Sequence, residues 1–479
     1  MNTSRDSSLV ADAKRAFGDR FTGRCIGGFD EDIMLANKQH AAQLPLHLPE
    51  LLIKCRTQRD VVQAFEFVRD KDVSFSVRSG GHCFADLSNR GDAIIDCGDL
   101  NGFGADGTDS IIAGPGALSG EAVDGLLPAG VTVPVGGCPL VALGGLSMVG
   151  GFGLTGRLHG ILSDRMSAAH VLLADGSMVE CDGDQHSELL WAISGAGPTG
   201  FGIVTQMRFD AAPLYPGVAL EGGWPIAQAE EIFALWQSFA PLTDNAISVQ
   251  ISLMAPEDPD QPCFVRIYGV ILDTKGPDED GLEPLLAAIA KHFGAFARQI
   301  NITAKSAPDI ALYACGAQTY HDEPAWLPSR PYSGTALLAQ RSQFFEAPLP
   351  VEAISALIER LQADRTMLQA REIECIPWGG NYARHNERSC FSHRQALMLL
   401  RYNSLTGRRP SQAVSTSMQD WVDDCRDMLS PYANNRIYAG YAEQDISDPV
   451  AAYFGDEAAR LAALKRRYDP DNIFIGYGV

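Results

Sequence analysis

A glycine-rich stretch from Val131 to Leu158 constrains the fold of this chain more than any other segment. It reads VTVPVGGCPLVALGGLSMVGGFGLTGRL, with eight glycines, one cysteine and almost no charge. Glycine weakens both helices and strands, and the stretch is too apolar to be a solvated linker. We therefore expect a buried backbone that folds back on itself and closely approaches a flat cofactor, with the thiol of Cys138 at its centre.

The same stretch contains a dinucleotide-binding motif, but its surroundings argue against a Rossmann domain. Gly151, Gly153 and Gly156 spell GxGxxG, and Asp175 follows about twenty residues later, as the motif requires. A Rossmann motif also needs a strand before it and a helix after it. Here more glycine precedes the motif and no clear helical period follows. An NAD-linked Rossmann dehydrogenase is therefore the weaker alternative.

Composition and charge limit the partners that this chain can have. Its 479 residues carry a net charge of −21, which disfavours binding to nucleic acid or to anionic lipid. The sequence has no apolar signal segment at its start, no membrane-length apolar run and no CxxC pair among its 11 cysteines. We expect a cytoplasmic protein of two or three domains, a monomer or homodimer, with no metal, membrane or nucleic-acid partner.

The pattern of predicted elements changes near residue 212. Before it, short strands and helices alternate with glycine loops, and a second such loop, Ser194–Gly202, precedes the strand Ile203–Phe209. Between residues 213 and 430, amphipathic helices alternate with longer strands, which predicts a separate domain on an antiparallel sheet. The predicted helices there are Ala227–Phe239, Gly281–Phe293 and Val351–Gln362, and the predicted strands are Ile247–Leu253, Cys263–Val270, Ala370–Ile376 and Ala396–Tyr402.

Two glycine loops carry the residues best suited to chemistry. The loop Arg78–His82 leaves backbone N–H groups free, and such a loop binds phosphate without lysine. His82 and Cys138 each offer a nucleophilic atom inside a glycine-rich segment. The alternative is a simple turn with a core histidine and an inert buried thiol.

Five segments, in order and spacing, resemble those of one enzyme family. RSGGHCFADLSNRGDAIIDCGDLN is similar to a histidine loop, GGCPLVALGG with MVGGFGLTGRLHGILSD to a cysteine loop, and LLWAISGAGPTGFGIVTQMRF to a flavin-side glycine stretch. IECIPWGGNYARH and RRYDPDNIF are similar to a substrate-domain strand and a C-terminal signature. The family is the berberine-bridge-enzyme-like FAD-linked oxidases of the vanillyl-alcohol-oxidase superfamily. The resemblance covers about residues 50 to 475, and nothing is assigned to residues 1–48.

The resemblance implies an α+β fold with a two-part PCMH-type FAD-binding domain. It also implies a substrate domain with an antiparallel sheet covered by helices, and a C-terminal segment that returns to the FAD domain. The expected limits are 1–211, 212–430 and 431–479. FAD would be attached twice, with His82 on the 8α-methyl carbon and Cys138 on C6. The other cofactor-binding residues expected are Arg78, Ser79, Gly80, Gly81, Gly137, Val141, Gly144, Gly145, Gly202, Ile203, Val204 and Tyr438.

The predicted substrate side centres on two glutamates and a tyrosine. Glu372 and Glu374 lie two apart on a strand, so both face one side; the alternative is a pair of solvated carboxylates. Tyr438 corresponds to the tyrosine that many members use as a base, which needs a lowered pKa. Because Gly440 replaces the usual asparagine, Glu374 is the reserve base. Trp378 is expected to line the same pocket.

Further positions that match the family indicate the reaction. Phe84 and Phe152 stand where plant members often have tyrosine, which favours an aromatic or polyketide-like substrate over a free sugar. Val141 resembles the small gatekeeper of members that react with O2, although Ala142 replaces a usual glycine. The resemblance thus implies an oxidase that passes hydride from a small secondary metabolite to flavin N5, with O2 as acceptor. A carbohydrate oxidase and a flavin-binding protein without turnover are the alternatives.

Overall fold

The computed structural model describes residues 8–27, 47–276, 281–317, 337–406 and 410–477. The strands are β1 (Arg24–Gly27), β2 (Leu51–Lys54), β3 (Phe75–Arg78), β4 (Ala93–Asp96), β5 (Phe103–Asp106), β6 (Ser110–Ala113), β7 (Val131–Thr132), β8 (Met166–Leu172), β9 (Met178–Cys181), β10 (Ile203–Asp210), β11 (Ala212–Pro213), β12 (Gly217–Pro225), β13 (Ile247–Ala255), β14 (Phe264–Leu272), β15 (Ile300–Lys305), β16 (Leu337–Phe345), β17 (Ala370–Pro377) and β18 (Met398–Thr406). The α-helices are Ser8–Phe17, Gln58–Asp70, Ser119–Leu126, Leu143–Met148, Gly156–His159, Ser187–Ala196, Ala229–Phe239, Glu283–Phe293, Ala307–Ala314, Val351–Gln362, Gln412–Leu429, Pro449–Phe454 and Ala458–Tyr468. None of these helices is both long and apolar enough to cross a membrane.

Two sheets build the N-terminal part. Strands β1 to β4 form one sheet in the order β1-β2-β4-β3, in which β4 runs parallel to β2 and β3. The second is antiparallel, in the order β5-β6-β10-β8-β9. The helix Gln58–Asp70 packs on the first sheet and starts with a capping box between Thr57 and Asp60. Strand β3 ends at Arg78, so the sheet fixes the start of the loop that leads to His82.

A seven-stranded antiparallel sheet forms the second part, in the order β15-β12-β14-β13-β17-β18-β16. Its apolar side chains pack against the helices Ala229–Phe239, Val351–Gln362 and Gln412–Leu429. In β17, fully buried Ile373 and Cys375 alternate with the more open Glu372 and Glu374. The helices therefore cover one face, and the other presents polar groups. This confirms the predicted α+β class with an antiparallel, helix-covered sheet.

The glycine-rich stretch is more regular than its composition predicts. It contains two short helices, Leu143–Met148 and Gly156–His159. The expectation of no regular structure is wrong there, because glycine lets the first helix pack closely on Pro115: a Cβ at Gly144 would lie 2.7 Å from its ring. The GxGxxG motif follows that helix and not a strand, and Asp175 lies in an exposed turn between β8 and β9. The structure therefore has no Rossmann arrangement at this motif.

One buried arginine ties the glycine-rich stretch to the second part. Arg157 is fully buried. Its guanidinium donates to the backbone carbonyls of Pro241, Thr243, Ile247 and Trp378. Four backbone acceptors satisfy a charge that would otherwise be costly to bury. This contact fixes the glycine-rich stretch to the start of β13 and the end of β17.

The C-terminal segment returns to the N-terminal part. Phe474 stacks on Phe65 with ring centroids 5.3 Å apart. The ammonium of Lys465 donates to the carbonyls of Gly200 and Phe474 and to the carboxylate of Asp469. The chain leaves the five-stranded sheet at the end of β10, at Asp210, and enters the seven-stranded sheet at the start of β12, at Gly217. The domain limits given above stay a prediction.

Replacing Gly153 by alanine is expected to destabilise the protein by roughly 1–3 kcal/mol, the usual cost of overpacking. A Cβ at Gly153 would collide with the backbone carbonyl of Val135. A Cβ at Gly137 would meet nothing within 4 Å, so Gly137→Ala is the matched control. Urea-induced unfolding measures both, and an equal loss of stability in the two variants would contradict the packing argument.

Candidate active site

A cavity of about 1320 Å³ lies between the N-terminal loops and the polar face of the seven-stranded sheet. Its wall brings together most of the site residues that the sequence predicts, although they are far apart in the chain. They are Ser79, Gly80, Gly81, His82, Phe84, Gly137, Cys138, Val141, Gly145, Phe152, Gly202, Ile203, Val204, Glu372, Glu374 and Tyr438. The structure thus joins the predicted cofactor loops and substrate strand in one site.

Two predicted cofactor-binding residues lie behind this wall. Arg78 is buried and forms an ion pair of 2.7 Å with Asp96, which joins the parallel strands β3 and β4. Gly144 packs on Pro115 in the first short helix of the glycine-rich stretch. Neither residue lines the cavity. The ion pair with Asp96 holds the Arg78 side chain away from the cavity. Close packing on Pro115 places Gly144 behind the wall.

Trp378 does not line the cavity either, which corrects its expected place in the pocket. The indole is fully buried. It packs edge-on against Phe152 and Phe344, at centroid distances of 5.3 Å and 5.1 Å. Phe152 is the ring that reaches the cavity, and Trp378 supports it from behind.

His82 and Cys138 lie side by side in the cavity wall. The distance from Cys138 Sγ to His82 Nε2 is 3.9 Å, and His82 Nδ1 lies 3.1 Å from the carbonyl oxygen of Gly80. Burial lowers the pKa of His82 to about 4, so its imidazole is neutral near pH 7. Burial raises the pKa of the Cys138 thiol, and loop N–H groups and Arg401 oppose that rise. Two potential nucleophiles therefore face the same space.

The wall around them fits a flat, polar cofactor such as FAD. A Cβ at Gly137 or at Gly145 would meet nothing within 4 Å, so the space over both glycines is open. The buried hydroxyls of Ser76 and Ser88 also belong to this wall, and neither finds a hydrogen-bond partner within the described ranges. Buried polar groups are normally paired, so a polar ligand here would complete the wall.

Four aromatic rings form one side of the cavity, which we call the aromatic wall: Phe84, Phe152, Tyr438 and Tyr441. The ring of Tyr438 lies 5.1 Å from those of Phe152 and Tyr441, centroid to centroid. Phe84 lies 6.1 Å from Tyr441. Edge-to-face contacts of this kind are favourable. The wall offers an apolar surface to a flat substrate.

The surroundings of Tyr438 do not favour its ionisation. Its hydroxyl accepts a hydrogen bond of 2.9 Å from the backbone N–H of Gly151. Burial raises the pKa of Tyr438, whereas the predicted role as a base requires a lowered one. Gly440 is needed for this ring position, because a Cβ there would collide with the Tyr438 ring.

Glu374 lies in a polar patch that Arg401 joins to the aromatic wall. It pairs in register with Arg401 of β18, with 3.7 Å between Oε2 and Nη1. The hydroxyl of Tyr268 donates to its Oε1 at 3.1 Å. Its side chain is only 17% exposed, so it is not a freely solvated carboxylate. Burial first, and then neighbouring Glu372, raise the pKa of Glu374 to about 7.

Glu372 sits beside Glu374 on the same face. Its two oxygens accept from the Ser252 hydroxyl at 2.9 Å and from the Asn403 side-chain amide at 3.3 Å. Both donors are buried on neighbouring strands. These bonds hold the Glu372 carboxylate in place.

Arg401 is the main site residue that sequence reasoning missed. Its guanidinium lies 4.1 Å from the ring centre of Tyr441 and 5.1 Å from that of Phe84. Its Nε donates to Gln340 Oε1 at 2.9 Å. The available signal is a lone charge in the strand LMLLRY. That signal does not show which residue Arg401 contacts, because the register of β17 with β18 places Glu374 beside it.

Two segments of the chain match known families. Residues 49–182 match the FAD binding domain, and residues 437–475 match the berberine and berberine-like family. An FAD-linked oxidoreductase of Bacillus subtilis (strain 168) is 28% identical over 471 residues, covering 95% of this chain and 97% of that protein. The (R)-6-hydroxynicotine oxidase of Paenarthrobacter nicotinovorans is 26% identical and covers 93% of each.

Solved structures share the fold over almost the whole chain. The wild-type BBE-like 1 protein of Physcomitrella patens superimposes with a TM-score of 0.82 at 21% identity, and a chitooligosaccharide oxidase with 0.80 at 20%. Each covers 98% of this chain and 98% of its own. Phe65 of the first matched segment stacks on Phe474 of the second, and the two relatives named above cover 95% and 93% of this chain. This chain therefore carries an FAD binding domain and a berberine-like segment, has the fold of berberine-bridge-enzyme-like proteins, and is an FAD-dependent oxidoreductase.

Proposed function

We propose that this FAD-linked oxidoreductase is an oxidase whose FAD is attached to both His82 and Cys138. The observation that carries the proposal is the distance of 3.9 Å between Cys138 Sγ and His82 Nε2, inside a cavity that also holds Glu374. When bound, FAD supplies a two-electron acceptor that takes hydride from the substrate and returns the electrons to O2 as H2O2. The protein's residues bind, orient and deprotonate the substrate.

Glu374 is the proposed base. A base works best when its pKa lies near the working pH, and the pKa of Glu374 is raised to about 7. Tyr438 has a pKa that burial raises further from neutrality. In this proposal the Glu374 carboxylate takes the substrate's acidic proton, and Tyr438 orients the substrate with its ring. Tyr438 as the base is the alternative implied by the resemblance.

The pH dependence of flavin reduction is expected to follow Glu374. Only its carboxylate form accepts a proton, so the rate should rise with pH, pass half its maximum near pH 7 and then level off. Anaerobic stopped-flow mixing with substrate measures this directly. In Glu374→Gln the remaining rate should lose this dependence. A rise that begins only near pH 10 would instead indicate a tyrosine base.

The substrate is proposed to be a small secondary metabolite with a flat apolar body and an oxidisable alcohol, amine or C–C position. The body would lie on the aromatic wall, and the polar group would face Glu374 and Arg401. Peroxide release from a panel of aromatic alcohols, cyclic amines and oligosaccharides tests this. Peroxide from the sugars alone would favour the carbohydrate oxidase, which the fold of chitooligosaccharide oxidase also supports. If dithionite reduces the bound flavin but no compound of the panel does, a flavin-binding protein without turnover would be favoured.

A further inference from the structure

A row of polar side chains crosses the large sheet and leads away from Glu374. Glu221 of β12, Tyr268 of β14 and Gln250 of β13 are paired in register, and all three line the cavity. We call these three residues the outer row. The next strand of the sheet is β17, which carries Glu374. Neighbouring strands lie about 4.8 Å apart, so the Glu221 end of the row is roughly 14 Å from β17.

The near end of the outer row offers hydrogen-bond donors that the protein leaves open. Gln250 is only 6% exposed. Its Oε1 lies 2.5 Å from the Tyr268 hydroxyl, whereas its Nε2 has no hydrogen-bond partner in the parts of the chain that the structure describes. Buried amide groups are normally paired. The open Nε2 therefore indicates a ligand atom that accepts a hydrogen bond inside the cavity.

The far end of the outer row offers an oriented acceptor. The hydroxyl of Tyr313, which also lines the cavity, donates to Glu221 Oε1 at 3.0 Å. Among the described residues, none donates a hydrogen bond to Glu221 Oε2. One oxygen therefore fixes the carboxylate, and the other can accept a hydrogen bond from a ligand.

The charges around Glu221 favour neutral hydroxyl groups over a cationic ligand. Arg266 Nη2 lies 4.0 Å from Glu221 Oε1, and the ammonium of Lys305 lies over the Tyr313 ring, 5.2 Å from its centre. These two groups already supply positive charge and would repel a further cation. A hydroxyl group can donate to the Glu221 carboxylate, and another can accept from the Gln250 amide.

We propose that the outer row is a subsite for a polyhydroxylated tail of the substrate, such as a glycosyl group, while the flat head of the substrate lies on the aromatic wall. This deepens the proposed function and rests on it for the place of the head. Hydroxyls of the tail accept from Gln250 Nε2 and donate to Glu221 Oε2. The cavity then selects elongated substrates over short ones, because the hydrogen bonds of the tail add to the binding of the head.

The test measures binding by isothermal titration calorimetry of the full-length holoenzyme under argon. Phenol represents the head alone, and phenyl β-glucoside and phenyl β-cellobioside add tails of one and two sugar rings. The variants are Glu221→Ala and Tyr313→Phe, since neither residue forms a hydrogen bond or an ion pair with Glu374 within the described ranges. Glu257→Ala is the matched control, because this carboxylate also lines the cavity but lies outside the outer row.

In the wild type we expect at least one glycoside to bind about tenfold more tightly than phenol, as a hydrogen bond to a charged group provides. Glu221→Ala should reduce this ratio to about twofold or less, and Tyr313→Phe should lower it by about threefold. Glu257→Ala should leave the ratio unchanged.

Equal binding of phenol and both glycosides in the wild type, or an unchanged ratio in Glu221→Ala, would overturn the inference. So would phenyltrimethylammonium that binds more tightly than the glycosides and loses this advantage in Glu221→Ala. A glycoside preference that Glu221→Ala abolishes supports the subsite. If no compound of the panel above then gives peroxide, the subsite stands and the proposed oxidase fails.

Discussion

The double variant His82→Ala, Cys138→Ala is expected to release all its flavin when the protein is precipitated with acid. Wild-type protein should keep its yellow colour in the pellet, and its denatured mass should exceed the polypeptide by one FAD. Each single variant should retain one bond, because imidazole and thiolate attack different flavin positions. Intact-mass spectrometry and the visible spectrum of the pellet measure the result.

Two other thiols in the cavity wall give a matched control. Cys83 and Cys97 also line the cavity, and burial raises the pKa of both. Their alanine variants should keep both flavin bonds. Wild-type protein with the bare polypeptide mass would contradict covalent attachment while leaving FAD binding itself intact.

The variant Glu374→Gln is expected to reduce the rate of flavin reduction by about 10²–10⁴-fold, the usual contribution of a general base. The amide keeps the size of the side chain and can still accept from Tyr268, but it cannot take a proton. Flavin content and the visible spectrum should not change. Anaerobic stopped-flow mixing with an active substrate measures the rate.

Two variants separate this role from those of its neighbours. Tyr438→Phe should cost less than Glu374→Gln, because the lost hydroxyl only accepts from the Gly151 N–H. Glu372→Gln should also cost less, since Ser252 and Asn403 engage both Glu372 oxygens. If Tyr438→Phe proves the most damaging change, the base is the tyrosine and the proposal for Glu374 fails.

Local pattern predicted much of the fold. The helix Val351–Gln362 has the predicted limits, and the strands of the large sheet lie within a few residues of theirs. The helix Gln412–Leu429 and strand β16 were not predicted. Apolar spacing at a period of 2 or about 3.6 reports which face of an element is buried, and that requires no knowledge of distant contacts.

Strand periodicity and composition are enough to predict that Glu372 and Glu374 share one face and that His82 and Cys138 lie in glycine loops. The residues that each of these side chains contacts are set by how the chain folds. Arg401 reaches Glu374 through the register of β17 with β18, and Trp378 lies behind Phe152 and not beside it. Burial raises the pKa of Tyr438, and the sequence does not show that this side chain is buried. Pairing and burial depend on residues far along the chain, so no local pattern contains them.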